Sequence, residues 1–557
     1  MSRAARIVTA IALFIATLAL LLATTRELGY ARDEGFYFMS ARAYEPWFEL
    51  LWEKRGVAFQ QKHVDAAWVM NHEHPGLMKS LFALSHRVLH QRWGLFDEPG
   101  TSFRFPAMVL SAAMISVVFL WASKRLGTAA GFVAALSLLF MPRVFYHAHL
   151  ACFDVPITFW FVAVFYAYQR SRESAHVAWP ILAGLCYGAA LATKHNAWFL
   201  PVALVVHTAL MALDARLRGD DARPRVVRSL RAFGAMSVLG PAVFLVTWPW
   251  LWFDTKKRFL EYADFHVNHV FYNMEFLGET YFEPPFPRTY APLMFVATVS
   301  LVTIVCAALG ASAVVRRGIS VFRRRRASAP DVHFESALLW LLGAGLSFGP
   351  WIFKDTPIFG GTKHWMPAYP FVALLGALGA ARAARSLAAA LPRRARAQWG
   401  TPRVRAVVAW ALGTLLVLPP LRCALAAHPW GLSAYTPIVG GAQGAASLGL
   451  NRTFWGYTTP SVMDDVERRR PQGANVYPHD TARASWDMLV EDGRVGRSYR
   501  AVWNAESADF SIYHHEQHMR VEEFQMWIAS GTRRPFVVDG LHGVPVVLVY
   551  EMTAPVR

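Results

Sequence analysis

The sequence predicts a mostly α fold: a polytopic transmembrane helix bundle of about eleven spans, with a long first outer loop and a small C-terminal α+β outer domain. Three observations predict it. The chain is 55% hydrophobic over 557 residues, with 21 Trp and 38 Phe. Only 17% of residues are charged, against roughly 25% in an ordinary soluble domain. Apolar stretches long enough to span a bilayer recur through most of the chain. Disorder, collagen and coiled coil are excluded, and a single large soluble enzyme fits poorly.

The spans fall near 7–25, 103–122, 127–142, 154–169, 178–193, 197–213, 232–252, 290–313, 335–352, 366–383 and 405–422. Lys and Arg beside span ends set orientation. With Arg3 and Arg6 inside, the inside loops hold Lys124–Arg125, Arg170–Arg172, Arg216–Arg231, Arg316–Arg326 and Arg382–Arg405. Outer loops such as 143–153 and 353–364 carry one or two basic residues each. This agreement predicts a multi-pass protein of the cell inner membrane, with a cytoplasmic N-terminus and a periplasmic C-terminal domain. A cleaved signal peptide is the other reading of the first span; it leaves the next segment outside all the same.

The formal net charge of +18 has the same explanation. The arginines sit between apolar stretches, as anchors facing anionic lipid, so no nucleic-acid partner is expected. Cys152, Cys186, Cys306 and Cys423 are isolated, and neither a disulfide framework nor a zinc ribbon is indicated.

Residues 1–422 thus form the membrane domain and 423–557 a soluble outer domain. In the latter, Phe536–Val538 and Val546–Tyr550 read as strands flanking a turn with Gly540 and Gly543. Ala482–Leu489 and Glu522–Ala529 read as helices. The pairs Gly127/Gly131 and Gly184/Gly188 have the spacing of close helix contacts.

Ionisable groups at membrane depth are costly and point to function. Asp33-Glu34 follow the first span directly, and Asn71-His72-Glu73-His74-Pro75 come about forty residues later in the same loop. Asp154 opens the fourth span, and Lys194-His195-Asn196 lie between the fifth and sixth. The outer loop 253–289 brings His266, His269 and Arg288, and the loop 353–364 brings Lys363 and His364. All lie on one face of the predicted topology. Each has a plainer reading: Asp33-Glu34 as a helix cap, Glu73 in a hydrated turn, Asp154 as a cap, Lys194 snorkelling to the interface. His514, His515 and His518 have metal-like helical spacing, but no carboxylate arrangement singles them out.

The order of motifs carries a resemblance. It runs YARDEGFYFMSARAY, NHEHPGLMKSL, RFPAMVLS, FDVP, GAALATKHNAW and GTKHWMPAYPF. Over roughly residues 1–385 the chain resembles the GT-C membrane glycosyltransferases, family 39-like. It is similar to dolichyl-phosphate-mannose protein mannosyltransferases and to the lipid A aminoarabinose transferase. The resemblance implies a GT-C-like bundle that transfers a sugar from a polyprenyl-phosphate-linked donor lipid to an acceptor on the outer face. The acceptor is open: protein, lipid A or another glycan.

By motif match, Asp33 is the catalytic carboxylate, Glu34 its neighbour, and Asp154 the acid at the start of the fourth span. Lys194, Arg288, Lys363 and His364 are the cations for the donor phosphate. Glu73 matches a metal-holding carboxylate, with His74, His266 and His269 as further ligands of a divalent ion (Mg, Mn or Zn). His74 stands where that branch commonly has Lys.

The same groups suit displacement at an anomeric carbon. A carboxylate takes the proton of the attacking hydroxyl. Cations stabilise the charge growing on the departing phosphate. Attack opposite the phosphate inverts the sugar carbon. A lipid-linked-sugar transporter or flippase, and a non-catalytic lipid-binding protein on the same fold, are the alternatives; the absence of a visible repeat between halves disfavours the transporter.

Overall fold

The computed structural model describes residues 1–323, 333–358, 360–390 and 401–552. All eleven predicted spans lie in helical segments, but they divide into two groups. Among the described residues, seven helices are long and apolar enough to cross a membrane: Arg3–Glu27, Pro99–Leu126, His195–Arg218, Arg223–Val246, Leu301–Ser320, Gly361–Ala390 and Ala406–Ala427. The other four fall short in length or composition. Thr128–Leu139, Ala178–Leu191 and Phe334–Phe348 have 12, 14 and 15 residues. At about 1.5 Å per residue they rise roughly 20 Å, less than a hydrocarbon core of about 30 Å. Asp154–Glu173 has 20 residues but ends on Arg170, Arg172 and Glu173.

Two boundaries differ from the sequence expectation. The stretch 290–313 is two helices, Tyr290–Thr298 and Leu301–Phe322, parted at Val299, whose backbone is extended. The 232–252 span starts earlier, as Arg223–Val246, and gives way to a turn at Pro249–Trp252; Pro249 lacks the N–H that would continue the ladder. The basic residues 324–326 and the loop residues 391–400 lie outside the described residues.

Small residues set the closest helix contacts. A Cβ on Gly184 would stand 2.6 Å from the Ala235 carbonyl oxygen, and one on Gly188 2.5 Å from Val243. Helices Ala178–Leu191 and Arg223–Val246 therefore meet at this pair, as the spacing predicts. At Gly131 a Cβ would reach Ser123 at 2.8 Å. Gly127 is different: it has a φ of +99° and open space around it, so it serves the break before Thr128–Leu139 rather than packing. Gly310 and Gly379, unremarked in the sequence, bring the backbones of Leu301–Phe322 and Tyr369–Ala390 into contact.

The C-terminal region carries a five-stranded sheet in the order Arg500–Ala501, Asn475–Pro478, Phe510–His514, Val544–Glu551, Val537–Leu541. The first three strands are parallel and the last two join antiparallel. The predicted hairpin is the pair Val537–Leu541 and Val544–Glu551, and the predicted helices are Arg483–Glu491 and Arg520–Ser530. This region packs on the stretch just after the first span. Arg494 donates to the Leu28 carbonyl at 2.9 Å, and Ser485 to the Ala31 carbonyl at 3.1 Å. Tyr30 bonds Asp492, which also accepts from the Gly100 N–H at 3.1 Å. One buried apolar cluster joins Leu28, Ala31 and Tyr146 to Trp430, Trp455 and Val546. Helix Arg483–Glu491 and the turn after it thus hold residues 28–31, just before Asp33.

Candidate functional site

Helix Arg32–Glu53 begins one residue before Asp33. Its start is held from inside. The Ala31 N–H donates to the Glu34 carboxylate at 2.9 Å, a capping interaction at the first turn. Glu34 also receives both Nε and Nη2 of Arg104 at 2.8 Å, and the Ala151 N–H at 3.0 Å. Arg104 spends its remaining donors on the carbonyls of Thr25, Leu28 and Gly29. Glu34 and Arg104 are 0% and 1% exposed. Glu34, read from sequence as a catalytic neighbour, has its oxygens committed to this pair and two backbone amides. It positions the helix start and does not reach the pocket.

Asp33 faces the other way. Its side chain keeps 24% of its surface open and accepts from the Lys363 ammonium at 2.8 Å. Burial pushes the Asp33 carboxyl up, but Lys363 and Arg32 outweigh burial and hold it below the ordinary carboxylate range.

Lys363 sits in the turn Gly361–Ala368. Gly360 and Gly361 have φ of +71° and +63°, and a Cβ on Gly360 would stand 2.4 Å from Trp455. Glycine is required there by both conformation and space. The Lys363 ammonium lies 4.4 Å from the centre of the Trp455 ring. Trp455 comes from the C-terminal region, and its carbonyl accepts the Arg32 N–H at 2.9 Å.

A second acid–lysine pair lies alongside. Asp154 is the first residue of its helix, yet Phe153 is the N-cap and no side chain caps it. The Asp154 carboxylate instead accepts from Lys194 at 2.8 Å. His147 Nδ1 is 3.9 Å from the same carboxylate, and its ring is 5.8 Å from that of Trp455. Burial pulls the His147 imidazole down to about 4, so it is neutral at pH 7, and neither ring nitrogen has a hydrogen-bond partner. Asp154 is near enough to oppose the lowering of Asp33. The two pairs are electrostatic neighbours: Lys363 acts on Asp154 as well as on Asp33.

Glu73 and its histidines form the next wall. Glu73 accepts from Asn71 at 2.6 Å, and His266 Nε2 is 3.0 Å from the Glu73 carbonyl. The His74 and His266 rings are 5.6 Å apart, and His195 stacks on His266 at 4.0 Å. Burial pulls His74 well below the ordinary imidazole range and His266 down to about 4. Lys79 donates to the carbonyls of Asn71 and His74 at 2.5 and 2.9 Å, and burial lowers its ammonium to about 7. Tyr37 bridges the walls, 4.1 Å from Phe153 and 6.4 Å from His74 between ring centres.

The metal expectation meets a partial fit. The donors exist: the Nδ1 atoms of His74 and His266 are buried without hydrogen-bond partners. The geometry does not follow. His269 Nδ1 is 2.7 Å from its neighbour Val270 oxygen, and His266 Nε2 is engaged by the Glu73 backbone. Among the described residues, the group whose ligand atoms lie within one ion's reach is Glu275, Glu516 and His518. Among the described residues, Glu73, His74, His266 and His269 do not bring three ligand atoms within 4.8 Å of one another, and backbone carbonyls engage His266 Nε2 and His269 Nδ1.

Of the predicted cations, Lys363 pairs with Asp33 and Lys194 with Asp154. His364 packs on Trp351 at 4.5 Å. Arg288 is exposed just before helix Tyr290–Thr298, and among the described residues no hydrogen bond or ion pair links it to the cluster. A cation the sequence reading missed is Arg143. It is 3% exposed, with Nε and Nη2 unpartnered, over the rings of Tyr435 and Phe454 at 4.9 and 5.4 Å. A lone arginine gives no sequence signal; in the structure it lies beside the glycine turn, where a Cβ on Gly361 would stand 3.6 Å from its Nη1.

Residues 89–250 match the model of the family described as dolichyl-phosphate-mannose-protein mannosyltransferase. That stretch contains Arg104, His147, Asp154 and Lys194; Asp33, Glu73 and Lys363 lie outside it. No curated protein matches the chain. Among solved structures it is similar to ArnT from Cupriavidus metallidurans bound to undecaprenyl phosphate, at 14% identity and TM-score 0.46 over 98% of each chain. It is also similar to the archaeal oligosaccharyltransferase AglB from Archaeoglobus fulgidus in complex with an inhibitory peptide and a dolichol-phosphate. There the identity is 10% and the TM-score 0.48, over 93% of this chain and 71% of that one.

Proposed function

We propose that this chain is a multi-pass membrane glycosyltransferase. It moves a sugar from a polyprenyl-phosphate-linked donor to an acceptor hydroxyl on the outer, periplasmic face, with Asp33 as general base. The observation that carries the reading is the pair of neighbouring acid–lysine contacts, Asp33–Lys363 and Asp154–Lys194, beside apolar helices. The family match over residues 89–250 supports it.

The pairs suit a site that must receive an anion. Without one, each ammonium is neutralised by its carboxylate. A lipid phosphate competes for Lys363 and Lys194, and its oxygens accept charge-assisted hydrogen bonds from them. Arg143 adds two unpartnered donors nearby. Once Lys363 turns to phosphate, the chief cause holding the Asp33 carboxyl low is withdrawn. Asp33 then becomes a stronger base as the donor binds, and takes the proton of the attacking hydroxyl. The same cations oppose the charge that grows on the departing phosphate. A phosphate leaves without prior protonation, so one carboxylate and these cations suffice. Attack from the face opposite the phosphate inverts the sugar carbon. The polyprenyl tail stays in the bilayer, and its burial supplies affinity that the few polar groups need not.

The test is transfer from a radiolabelled polyprenyl-phosphate sugar by purified protein, wild type against D33N. Transfer is expected to fall by about 10²–10⁴ while lipid phosphate still binds. Undiminished transfer by D33N rejects the base. Donor lipid carried across the membrane by wild type without any transfer favours a transporter.

A further inference from the structure

The outer loop and the C-terminal region meet at a polar cluster that glycosyl transfer does not use. The loop folds into a short hairpin, Met274–Phe276 paired antiparallel with Glu279–Tyr281. From its first strand Glu275 accepts the His518 backbone N–H at 2.7 Å and lies 2.6 Å from His518 Nδ1. Gln517 bonds the Gly278 carbonyl at the hairpin turn. Glu516 completes the group, its Oε2 3.8 Å from His518 Nδ1.

Two features set this cluster apart from a solvated acidic patch. Glu275 and Glu516 are 6% and 7% exposed, so two carboxylates are buried side by side. The Glu516 carboxylate brings its other oxygen, Oε1, into the interior, where among the described residues it receives no donor and the Asp480 carboxylate lies beside Glu516. Burying two carboxylates together is strongly unfavourable unless a proton or a metal cation is shared between them.

We propose that Glu275, Glu516 and His518 bind a divalent transition-metal ion of the zinc class, which clasps the Met274–Tyr281 hairpin to the C-terminal region. One ligand atom from each residue already lies within 4.8 Å of the others. Ligands of one zinc at about 2.0–2.1 Å stand roughly 3.3 Å apart in tetrahedral geometry, so the side chains need shift only slightly. The imidazole nitrogen favours zinc over magnesium or calcium, which take six or more oxygens. Three protein ligands leave a fourth position for water. An adjoining cavity of about 320 Å³, lined by Glu275, His515, Gln517 and Arg520 among others, gives the ion a route in.

The clasp also reaches the pocket. Asp480 lies beside Glu516 and accepts from Arg32 at 2.9 Å, and Arg32 immediately precedes Asp33. The inference does not rest on the proposed reaction, because an ion that ties the hairpin down is equally useful to a transporter or a binding protein.

The test uses the full chain in detergent, stripped with chelator and dialysed against ZnCl2. Wild type is expected to retain about one zinc per chain by mass spectrometry, with a raised Tm. H518N and E516Q are expected to bind zinc at least tenfold more weakly and to lose the rise. No retained zinc in wild type, or wild-type binding by both variants, overturns the site. Because a variant may fail to fold, wild-type crystals grown with ZnCl2 give a second reading at the zinc edge. An anomalous peak among Glu275, Glu516 and His518 upholds the proposal. No peak, or a peak at Glu73 and His266 alone, overturns it.

Discussion

The Lys363 ammonium donates to the Asp33 carboxylate at 2.8 Å, across 330 residues of sequence. A glycine-rich turn late in the bundle and the first residues after the first span are thereby one unit. Lys363→Met is expected to weaken binding of a polyprenyl phosphate by about tenfold or more, the scale of a charge-assisted hydrogen bond. Titration of the purified protein with the lipid checks it. Unchanged affinity would assign the phosphate to other cations.

The Glu34–Arg104 pair is an anchor, and its removal should act on stability. Arg104→Met leaves a carboxylate buried without its cation and is expected to cost about 3–5 kcal/mol. The double variant E34L/R104M removes both charges and should recover part of that loss. Thermal unfolding of the detergent-solubilised protein measures both. A single variant as stable as wild type would contradict the anchoring role.

The pH dependence follows from the sign of the Asp33 shift. Its carboxyl is held below the ordinary aspartate value of 3.8, so its pair with Lys363 contributes stability above that pH and loses it as pH falls through the lowered value. If Asp33 in the free enzyme sets the acid limb of kcat/KM, that limb lies below about pH 4. Lys363→Met removes the chief cause of the lowering and is expected to move the limb upward. A limb that stays in place in this variant would mean another group sets it.

Gly379 has no room for a side chain. A Cβ there would stand 1.9 Å from the Cys306 carbonyl oxygen, on the backbone of the facing helix. Gly379→Ala is expected to destabilise by about 1–3 kcal/mol, as overpacking does, read as a lowered Tm. Gly345→Ala, with open space around it, serves as the neutral comparison.

Much of the site was legible in the sequence because ionisable groups beside apolar stretches stand out. Asp33, Asp154, Lys194 and Lys363 were all visible on that ground. Their pairing was not, since Lys194 and Asp154 are 40 residues apart and Lys363 and Asp33 far more. Glu34 was misassigned for a physical reason. Two adjacent acids look alike in sequence, and only the helix start decides that one faces Arg104 and the other the pocket. His518 was passed over because a single local acid, Glu516, makes no ligand set by itself, and the second carboxylate, Glu275, arrives from 243 residues away. All eleven apolar stretches are helical, but helix length is not legible from composition. Thr128–Leu139 and Ala178–Leu191 are apolar but too short to cross.

The most direct test is a cryo-electron microscopy map of the protein in nanodiscs with a bound polyprenyl phosphate. The account predicts phosphate density within hydrogen-bond distance of both Lys363 and Lys194, with the Asp33 carboxylate turned to the side where an acceptor hydroxyl would stand. Phosphate density at the exposed Arg288, with both acid–lysine pairs undisturbed, would contradict it.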